Sequence, residues 1–352
     1  METGKATLVA DGFTLGTQSV AAGTRARVEL AVSNLPDHTP VSLSVEVLHG
    51  AHPGPTMFVS AAIHGDEIVG VEIVRRLLAA LDPAQMAGTL LAIPVVNSFG
   101  FLARSRYLPD RRDLNRCFPG TPAGSLGSRL AHIFLNDVVK RCDFGVDLHS
   151  AAIHRTNLPQ TRVAPGNRAA LHMARAFAAP VIVQSGLRER SLRAEAQDLG
   201  IPVLLYEAGE GLRFDEIAVR AGVAGILRVM ADRDMIDPDS VSAPETEPHL
   251  CRESSWLRAP VGGLLRTFRA EGETVAEGDL LAVVADPTGE TEVELLAPAD
   301  GILIGRAVLP VVMEGDAVFH LAQEDPEADE DAVDQLTEQL SADPMFDEDE
   351  II

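Results

Sequence analysis

Residues 57–81 constrain the fold more than any other stretch of this chain, because two different periodicities meet there. Residues 57–63 form an apolar run of strand length, and apolar side chains then recur at helical spacing as far as Leu81. The pattern predicts a strand that leads directly into a helix through the polar residues 64–67. Because open α/β sheets bind ligands at the carboxyl ends of strands, these polar residues are predicted to face a ligand.

His64 and Glu67 are the residues of this junction that could ligate a metal. In the first turn of a helix, side chains three positions apart project from one face. An imidazole and a carboxylate that converge in this way are two of the three protein ligands of a catalytic zinc site of the His₂Glu class. The alternative is a solvated helix start, in which Asp66 and Glu67 complement the helix dipole. The spacing alone does not decide between the two interpretations.

A second histidine follows another predicted strand. The apolar residues 144–148 end at His149, which could close a metal site with His64 and Glu67. Asp147 points to the same side of this strand as His149. It is therefore expected to orient the ligands without binding the metal itself.

The remaining histidines of this part of the chain are weaker candidates. His132 lies in the middle of a predicted amphipathic helix and is interpreted as a packing residue. His49 and His52 lie in a Gly/Pro-rich segment that cannot be helical, so they are interpreted as loop residues. His154 follows His149 in a predicted loop and could contact a substrate.

The polar segment at residues 97–124 is longer than an ordinary connection. Its arginines are interspersed with Leu, Tyr, Phe and Pro, which argues against disorder. A cluster of guanidinium groups in an acidic protein favours a site for an anion, because Arg binds carboxylates in a bidentate manner. The alternative is that these arginines pair with surface carboxylates. The polar residues of interest in the segment are Arg104, Arg106, Tyr107, Arg111, Arg112, Asp113, Asn115 and Arg116.

A carboxylate follows the predicted strand at residues 201–206. Glu207 comes immediately after that strand, where it would lie beside the groups that follow the other strands. It is therefore the preferred candidate for a general base. Glu210, in a Gly-flanked turn, is the alternative.

Charge and composition exclude several classes of partner. The 352 residues carry a formal net charge of −23, which argues against nucleic acids and other polyanions. Thirteen acidic residues, without a single Lys or Arg, lie between Glu324 and Glu350. Most of the excess charge therefore belongs to a tail at residues 323–352, for which the composition predicts disorder.

The sequence also bears on location. Three cysteines are too few and too scattered for a disulfide framework or a thiolate metal site. No signal peptide and no apolar run of transmembrane length is visible, so a cytoplasmic protein without a membrane partner is expected. A homo-oligomer is compatible with the sequence.

Residues 250–322 repeat themselves with an offset of 37 to 38 positions, as in residues 259–264 against 297–302. Two copies of a strand-turn-strand unit predict a small all-β barrel or sandwich, similar to biotinyl and lipoyl domains. Those domains carry a modified lysine, and this segment contains no lysine. A swinging-arm carrier is therefore excluded, which leaves a structural or assembly module.

The predicted organisation has five parts. They are an N-terminal β segment (1–40), a catalytic domain (41–235), a linker (236–249), the β module (250–322) and the acidic tail (323–352).

Four motifs in order, His64-Gly65-Asp66-Glu67, Asp113-Leu114-Asn115-Arg116, Asp147-Leu148-His149 and Glu207, resemble the zinc-dependent aspartoacylase and succinylglutamate desuccinylase family over roughly residues 40–235. The resemblance implies an α/β fold like that of zinc carboxypeptidases, with a mixed central sheet flanked by helices. It also implies one zinc ion per chain, held by His64, Glu67 and His149 and supported by Asp66 and Asp147.

The resemblance further implies roles for the remaining residues. Glu207 would be the general base, and Asn115 and Arg116 would hold the substrate carboxylate. An arginine ahead of them would polarise the scissile carbonyl, and Arg106, with Tyr107 beside it, is the preferred match. Arg104, Arg111 and Arg112 remain alternatives for that arginine. His154 and Arg155, in a segment that departs from the aspartoacylase pattern, are expected to contact substrate.

The activity implied is zinc-dependent hydrolysis of the amide bond in a small N-acyl amino acid. The β module points to the bacterial deacylase-like branch of the family. Two alternatives remain open at this point: a metallocarboxypeptidase acting on peptides, and a catalytically silent binding or assembly protein.

Overall fold

The computed structural model describes residues 10–244 and 246–324. The predicted disordered tail lies almost entirely outside the described residues.

The first part of the chain alternates strands and helices. In chain order the elements are β1 (Phe13–Leu15), β2 (Gln18–Val20), β3 (Thr24–Asn34), β4 (Pro40–His49), β5 (His52–Ala61), α1 (Val69–Ala80), β6 (Ala87–Ile93), α2 (Ser98–Ala103), α3 (Leu126–Ile133), β7 (Phe144–Ala151), β8 (Arg155–Val163), α4 (Arg168–Phe177), β9 (Val181–Gln184), α5 (Leu192–Asp198), β10 (Val203–Glu210) and α6 (Glu216–Asp232).

A mixed sheet with helices on both faces is the core of this part. Strands β6, β5, β7 and β10 are parallel neighbours, whereas β4 pairs antiparallel with β6, and β8 with β10. One apolar cluster packs α1, α4 and α6 against one face, and a second packs α3 and α5 against the other. The predicted mixed α/β fold with a large sheet is confirmed.

The predicted succession of a strand and a helix is confirmed by β5 and α1, but residues 64–67 do not form the first turn of that helix. Helix α1 begins at Val69, and the preceding residues form a turn in which Glu67 N donates to His64 O at 3.2 Å. Gly65 lies in this turn, where a Cβ would come within 1.9 Å of the backbone carbon of Gly100 in α2. The close approach of the two segments therefore requires glycine at this position.

The interpretation of His49 and His52 as loop residues is also wrong. β4 and β5 are not neighbours, because β6 lies between them. His49 is the last residue of β4 and is buried, with its ring nitrogens against Thr89 Oγ1 and the carbonyl oxygen of Asp11, and His52 begins β5. They are therefore strand residues rather than loop residues.

Eight further strands follow residue 248: β11 (His249–Arg258), β12 (Gly263–Thr267), β13 (Thr274–Val275), β14 (Leu280–Ala285), β15 (Glu292–Leu296), β16 (Gly301–Ala307), β17 (Val311–Val312) and β18 (Ala317–Glu324). The sequence repeat relates β12, β13 and β14 to β16, β17 and β18. Each short strand pairs with the other copy, β13 with β16 and β17 with β12.

The large sheet continues into these C-terminal strands. β11 pairs with β9, β18 with β11 and β16 with β18, and β16 also pairs with β8. Strands β8, β9, β11, β18 and β16 therefore close a ring. Apolar side chains that include Val183, Cys251 and Ile304 fill the space between them.

Within the described residues, no helix is both long and apolar enough to cross a membrane.

Candidate metal centre and cavity

Two parallel strands bring the three predicted metal ligands together. β5 and β7 pair in register, with Ser60 opposite Asp147, so the turn after β5 and the end of β7 lie side by side. One donor atom from each of His64, Glu67 and His149 lies within 4.8 Å of the other two. Relative exposures are 3%, 2% and 3%, so the predicted solvated helix start does not apply to Glu67.

One carboxylate contacts both imidazole rings. Glu67 Oε1 lies 2.6 Å from His64 Nδ1, and Oε2 lies 2.7 Å from His149 Nδ1. The far side of each ring also faces a carboxylate: His149 Nε2 lies 2.8 Å from Asp147, and His64 Nε2 lies 3.2 Å from Asp113. These contacts determine the orientation of both rings.

The supporting residues differ in what they do. Asp147 accepts a 2.7 Å hydrogen bond from Ser60 Oγ in addition to its contact with His149 Nε2. Asp66 hydrogen-bonds to none of the three ligands, and its buried Oδ1 has no partner among the described residues. Burial, followed by the charge of Glu67, raises the pKa of Asp66.

The charges of the cluster are strongly coupled. Burial opposes charge on His149, but Asp147 and Glu67 outweigh it and raise the pKa of His149 well above its ordinary value. Burial also opposes charge on His64. The charges of Glu67 and Asp113 nevertheless raise the pKa of His64, although the charge of Arg106 opposes them. Burial alone would raise the pKa of Glu67, but the two histidines hold it far below its usual range.

This donor set fits a divalent cation. Two imidazoles and one carboxylate match the His₂Glu class of catalytic zinc sites. A carboxylate on the far ring nitrogen is the usual support for a metal-ligating histidine, and both rings have one. Because the ligating nitrogen must lose its proton, metal and proton compete for these rings.

Glu207 lies on the strand next to His149. β7 and β10 pair in parallel, with Glu207 opposite His149. Asn157 Nδ2 of β8 donates to Glu207 Oε2 at 3.1 Å. Glu210, the alternative carboxylate, instead accepts from the backbone N–H of His154 at 3.0 Å and does not line the cavity.

Arg106 is the arginine of the loop at residues 97–124 that reaches the metal centre. Its Nη1 lies 3.3 Å from His64 Nδ1 and 3.5 Å from Glu67 Oε1. Asp113 accepts from its Nη2 at 2.9 Å. Arg111 and Arg112 are exposed and lie outside the cavity lining, whereas Arg104 lies on its wall.

Asn115 and Arg116 form a short 3₁₀ turn on the wall of the same cavity. Asp113 begins this turn and accepts from Asn115 N at 2.7 Å. The side-chain oxygen of Asn115 accepts from Leu192 N, the first residue of α5, at 2.9 Å. Its NH₂ group is therefore the part of the amide that remains to face a ligand.

The cavity has a volume of about 600 Å³. Of the twelve site residues predicted from the sequence, all but Asp147 line it. His154 is exposed at the end of the turn after β7. Arg155 lies over the ring of Trp256, 5.2 Å from its centroid, and Trp256 stacks on His320 with 4.5 Å between centroids. Burial lowers the pKa of Arg155.

Sequence reasoning missed one side of the cavity. The lining residues not anticipated include Asn157, Arg162, Arg188, Ser191, Arg193, Trp256 and Asp316. The Arg-rich residues 188–193, which follow β9, carry a signal of the kind used for residues 97–124. Trp256 and Asp316 gave none, because the C-terminal repeat was interpreted as a separate module.

Comparison with known proteins gave three kinds of match. A family model described as the succinylglutamate desuccinylase/aspartoacylase catalytic domain matches residues 53–233. The N-alpha-acetyl-L-2,4-diaminobutyric acid deacetylase of Halomonas elongata is 28% identical over 299 residues, which cover 77% of this chain and 82% of that protein.

Two solved structures are similar over most of their length. The product-bound ectoine utilization protein EutE (DoeB) from Ruegeria pomeroyi has a TM-score of 0.76 and 25% identity, covering 85% of this chain and 95% of its own. A succinylglutamate desuccinylase/aspartoacylase from Rhodobacter sphaeroides has a TM-score of 0.77 and 26% identity, covering 86% and 96%.

Proposed function

The chain belongs to the succinylglutamate desuccinylase/aspartoacylase family, and on that premise we propose that it is a zinc-dependent deacylase that hydrolyses the amide bond of a small N-acyl amino acid. The observation that carries this proposal is the convergence of three parallel strands. Their carboxyl ends bring the His64, Glu67 and His149 cluster to one edge of the sheet, with Glu207 in register beside His149.

The three clustered residues would hold one zinc ion per chain. When bound, zinc supplies Lewis-acid chemistry, because it polarises a carbonyl oxygen and makes a water molecule more acidic. Asp147 and Asp113 keep the two imidazole rings oriented for that purpose.

Glu207 moves the proton. Its carboxylate accepts a proton from the water that attacks the acyl carbonyl carbon, and then delivers that proton to the nitrogen of the leaving amine as the C–N bond breaks. The products are a carboxylic acid and a free amino acid. Asn157 holds one carboxylate oxygen, which keeps Glu207 in place for both transfers.

Arg106 stabilises the charge that develops on the carbonyl oxygen. Asp113 holds the guanidinium group beside the cluster, so the donor is in position before the reaction begins. Tyr107 follows it on the cavity wall and would contact the acyl group.

Asn115 and Arg116 bind the α-carboxylate of the substrate. An amide donor next to a guanidinium group suits a carboxylate, and together they orient the scissile bond. His154 and Arg155 lie on the same cavity wall and would contact the remainder of the substrate.

Two observations favour a small substrate over a peptide. The cavity volume of about 600 Å³ falls in the range of small-molecule sites. The Halomonas elongata relative is named as a deacetylase of an N-acetylated amino acid.

The proposal is tested by assaying the purified, zinc-loaded protein on acetylated and succinylated amino acids beside short peptides. Glu207→Gln should lower kcat by roughly 10² to 10⁴ while zinc content stays unchanged. The matched control is Glu210→Gln, since Gln can still accept from His154 N; it should stay within about threefold of the parent in kcat.

Activity on peptides alone would show that the protein is a carboxypeptidase rather than a deacylase. Failure to load the protein with zinc would exclude the hydrolase function and would leave a binding role as the remaining function. An active Glu207→Gln variant would remove the role assigned to Glu207.

A further inference from the structure

Asn157 occupies an unusual position between two strands. It lies on β8, which pairs with β10 on one side and with β16 of the C-terminal strands on the other. The residue in register with it is a glycine on both sides, Gly209 on β10 and Gly305 on β16. Asn157 is 7% exposed, so its side chain is confined by these neighbours.

The two ends of the Asn157 amide face different parts of the molecule. Nδ2 donates to Glu207 Oε2 at 3.1 Å. Oδ1 lies against Gly305, where a Cβ would come within 2.5 Å of it. Since real Cβ atoms do not approach an oxygen so closely, any side chain at residue 305 must push the amide away. The backbone of Gly305 does not have a positive φ, so space rather than conformation requires glycine here.

The contact between β8 and β16 leaves little freedom to absorb such a push. Gln160 Nε2 donates to the carbonyl oxygen of Ile304 at 3.2 Å, beside the backbone pairing of residues 155–157 with 305–307. Glu271 accepts from both Arg306 Nε and Thr156 Oγ1. The ring of five strands closes around a buried apolar cluster that contains Ile304.

We infer that Gly305 is a positioning residue for the hydrolysis: the C-terminal strands set the place of the Asn157 amide, and that amide sets the place of the Glu207 carboxylate. The inference rests on the proposed role of Glu207. It gives the C-terminal repeat a part in the reaction, because Asn157, a hydrogen-bond partner of Glu207, packs against β16.

The test compares Gly305→Ala, Asn157→Ala and the double variant. A carboxylate displaced by about 1 Å can cost on the order of 10²-fold in rate. Gly305→Ala should therefore lower kcat by about 10²-fold, with KM for the acyl amino acid and zinc content unchanged. Asn157→Ala should cause a similar loss. The double variant should be no slower than Asn157→Ala, because no Oδ1 remains for the new methyl group to displace.

Gly301→Ala is the matched control on the same strand. A Cβ at Gly301 would lie 2.4 Å from the carbonyl oxygen of Ala322, so it strains β16 against β18 without meeting Asn157. If Gly301→Ala loses kcat as Gly305→Ala does, the effect is general distortion and the inference is wrong. Losses that multiply in the double variant would also overturn it.

A crystal structure of Gly305→Ala supplies a readout that does not depend on activity. The inference requires the Asn157 amide and the Glu207 carboxylate of the variant to be displaced from the positions that they occupy in the parent protein. Unchanged positions of both groups would refute it even if the parent protein hydrolysed none of the assayed amides. Conversely, a displaced amide in a protein without deacylase activity would support the effect of residue 305 on the Asn157 amide and would reject only the proposed function.

Discussion

At the scale of single residues, Glu67 has the largest influence on the site. Its two oxygens contact the rings of His64 and His149 at 2.6 and 2.7 Å, so one carboxylate brings both imidazoles to the same point. Its neighbour Asp66 lines the same cavity but hydrogen-bonds to no ligand. Adjacent acidic residues therefore have different expected effects on metal binding.

The first prediction follows from that difference. Glu67→Gln should lower zinc affinity by more than about 10²-fold, because it removes a ligand, whereas loss of supporting residues typically costs 10 to 10². Zinc content after dialysis against a graded chelator series measures the effect. Asp66→Asn is the control and should retain zinc at chelator concentrations that strip Glu67→Gln. Equal retention by both variants would contradict the ligand assignment.

At the scale of elements, the 3₁₀ turn Leu114–Arg116 links the cluster of His64, Glu67 and His149 to the cavity wall. Asp113 begins the turn and contacts Asn115 N, His64 Nε2 and the guanidinium of Arg106. The first residue of α5 then fixes the orientation of the Asn115 amide. The turn thus places Asn115 and Arg116 on the cavity wall, while Asp113, the residue that precedes it, contacts His64.

Arg116→Ala should therefore raise KM and spare the metal. Loss of a charged hydrogen bond of about 1.5 to 3 kcal/mol corresponds to a KM increase of roughly 10- to 10²-fold. Steady-state kinetics on the best acyl amino acid, together with zinc analysis, measure both quantities. Arg112→Ala, an exposed arginine of the same segment outside the cavity, should change neither. Zinc loss in Arg116→Ala would show that the two functions of the turn are not separable.

At the scale of the whole molecule, the C-terminal strands complete the cavity. Trp256 of β11 lies between Arg155, from the catalytic part of the chain, and His320 of β18. The ring of five strands makes this arrangement one continuous structure rather than a hinged attachment. The wall of the cavity is therefore formed by both parts of the chain.

Trp256 is the only tryptophan of the chain, so its fluorescence should report on the cavity. Titrating the slow Glu207→Gln variant with an N-acyl amino acid should change the emission saturably, because a ligand near Arg155 alters the cation–π contact with the indole ring. The half-saturation point should rise in a variant that also carries Arg116→Ala. Emission that stays constant at concentrations that saturate turnover in the parent protein would place Trp256 away from the bound substrate.

The residues of the candidate metal centre could be singled out in the sequence because each follows an apolar run. His64, Glu67, His149 and Glu207 all come at or just after the carboxyl ends of parallel strands, where such folds gather their ligands. Asn115 and Arg116 depended on the family resemblance, since a polar loop alone does not reveal which arginine faces inward. The position of Arg106 beside His64 became clear only from the folded loop.

Local patterning thus determined which residues lie at the carboxyl edge of the sheet, because the apolar periodicity of strands and helices depends only on residues close together in the sequence. Only the tertiary structure decided which residues surround them. The packing of Asn157 against Gly305 and the contact of Arg155 with Trp256 on the cavity wall both join residues more than a hundred positions apart. Such pairing is selected by complementary surfaces in the folded chain, which local sequence does not contain.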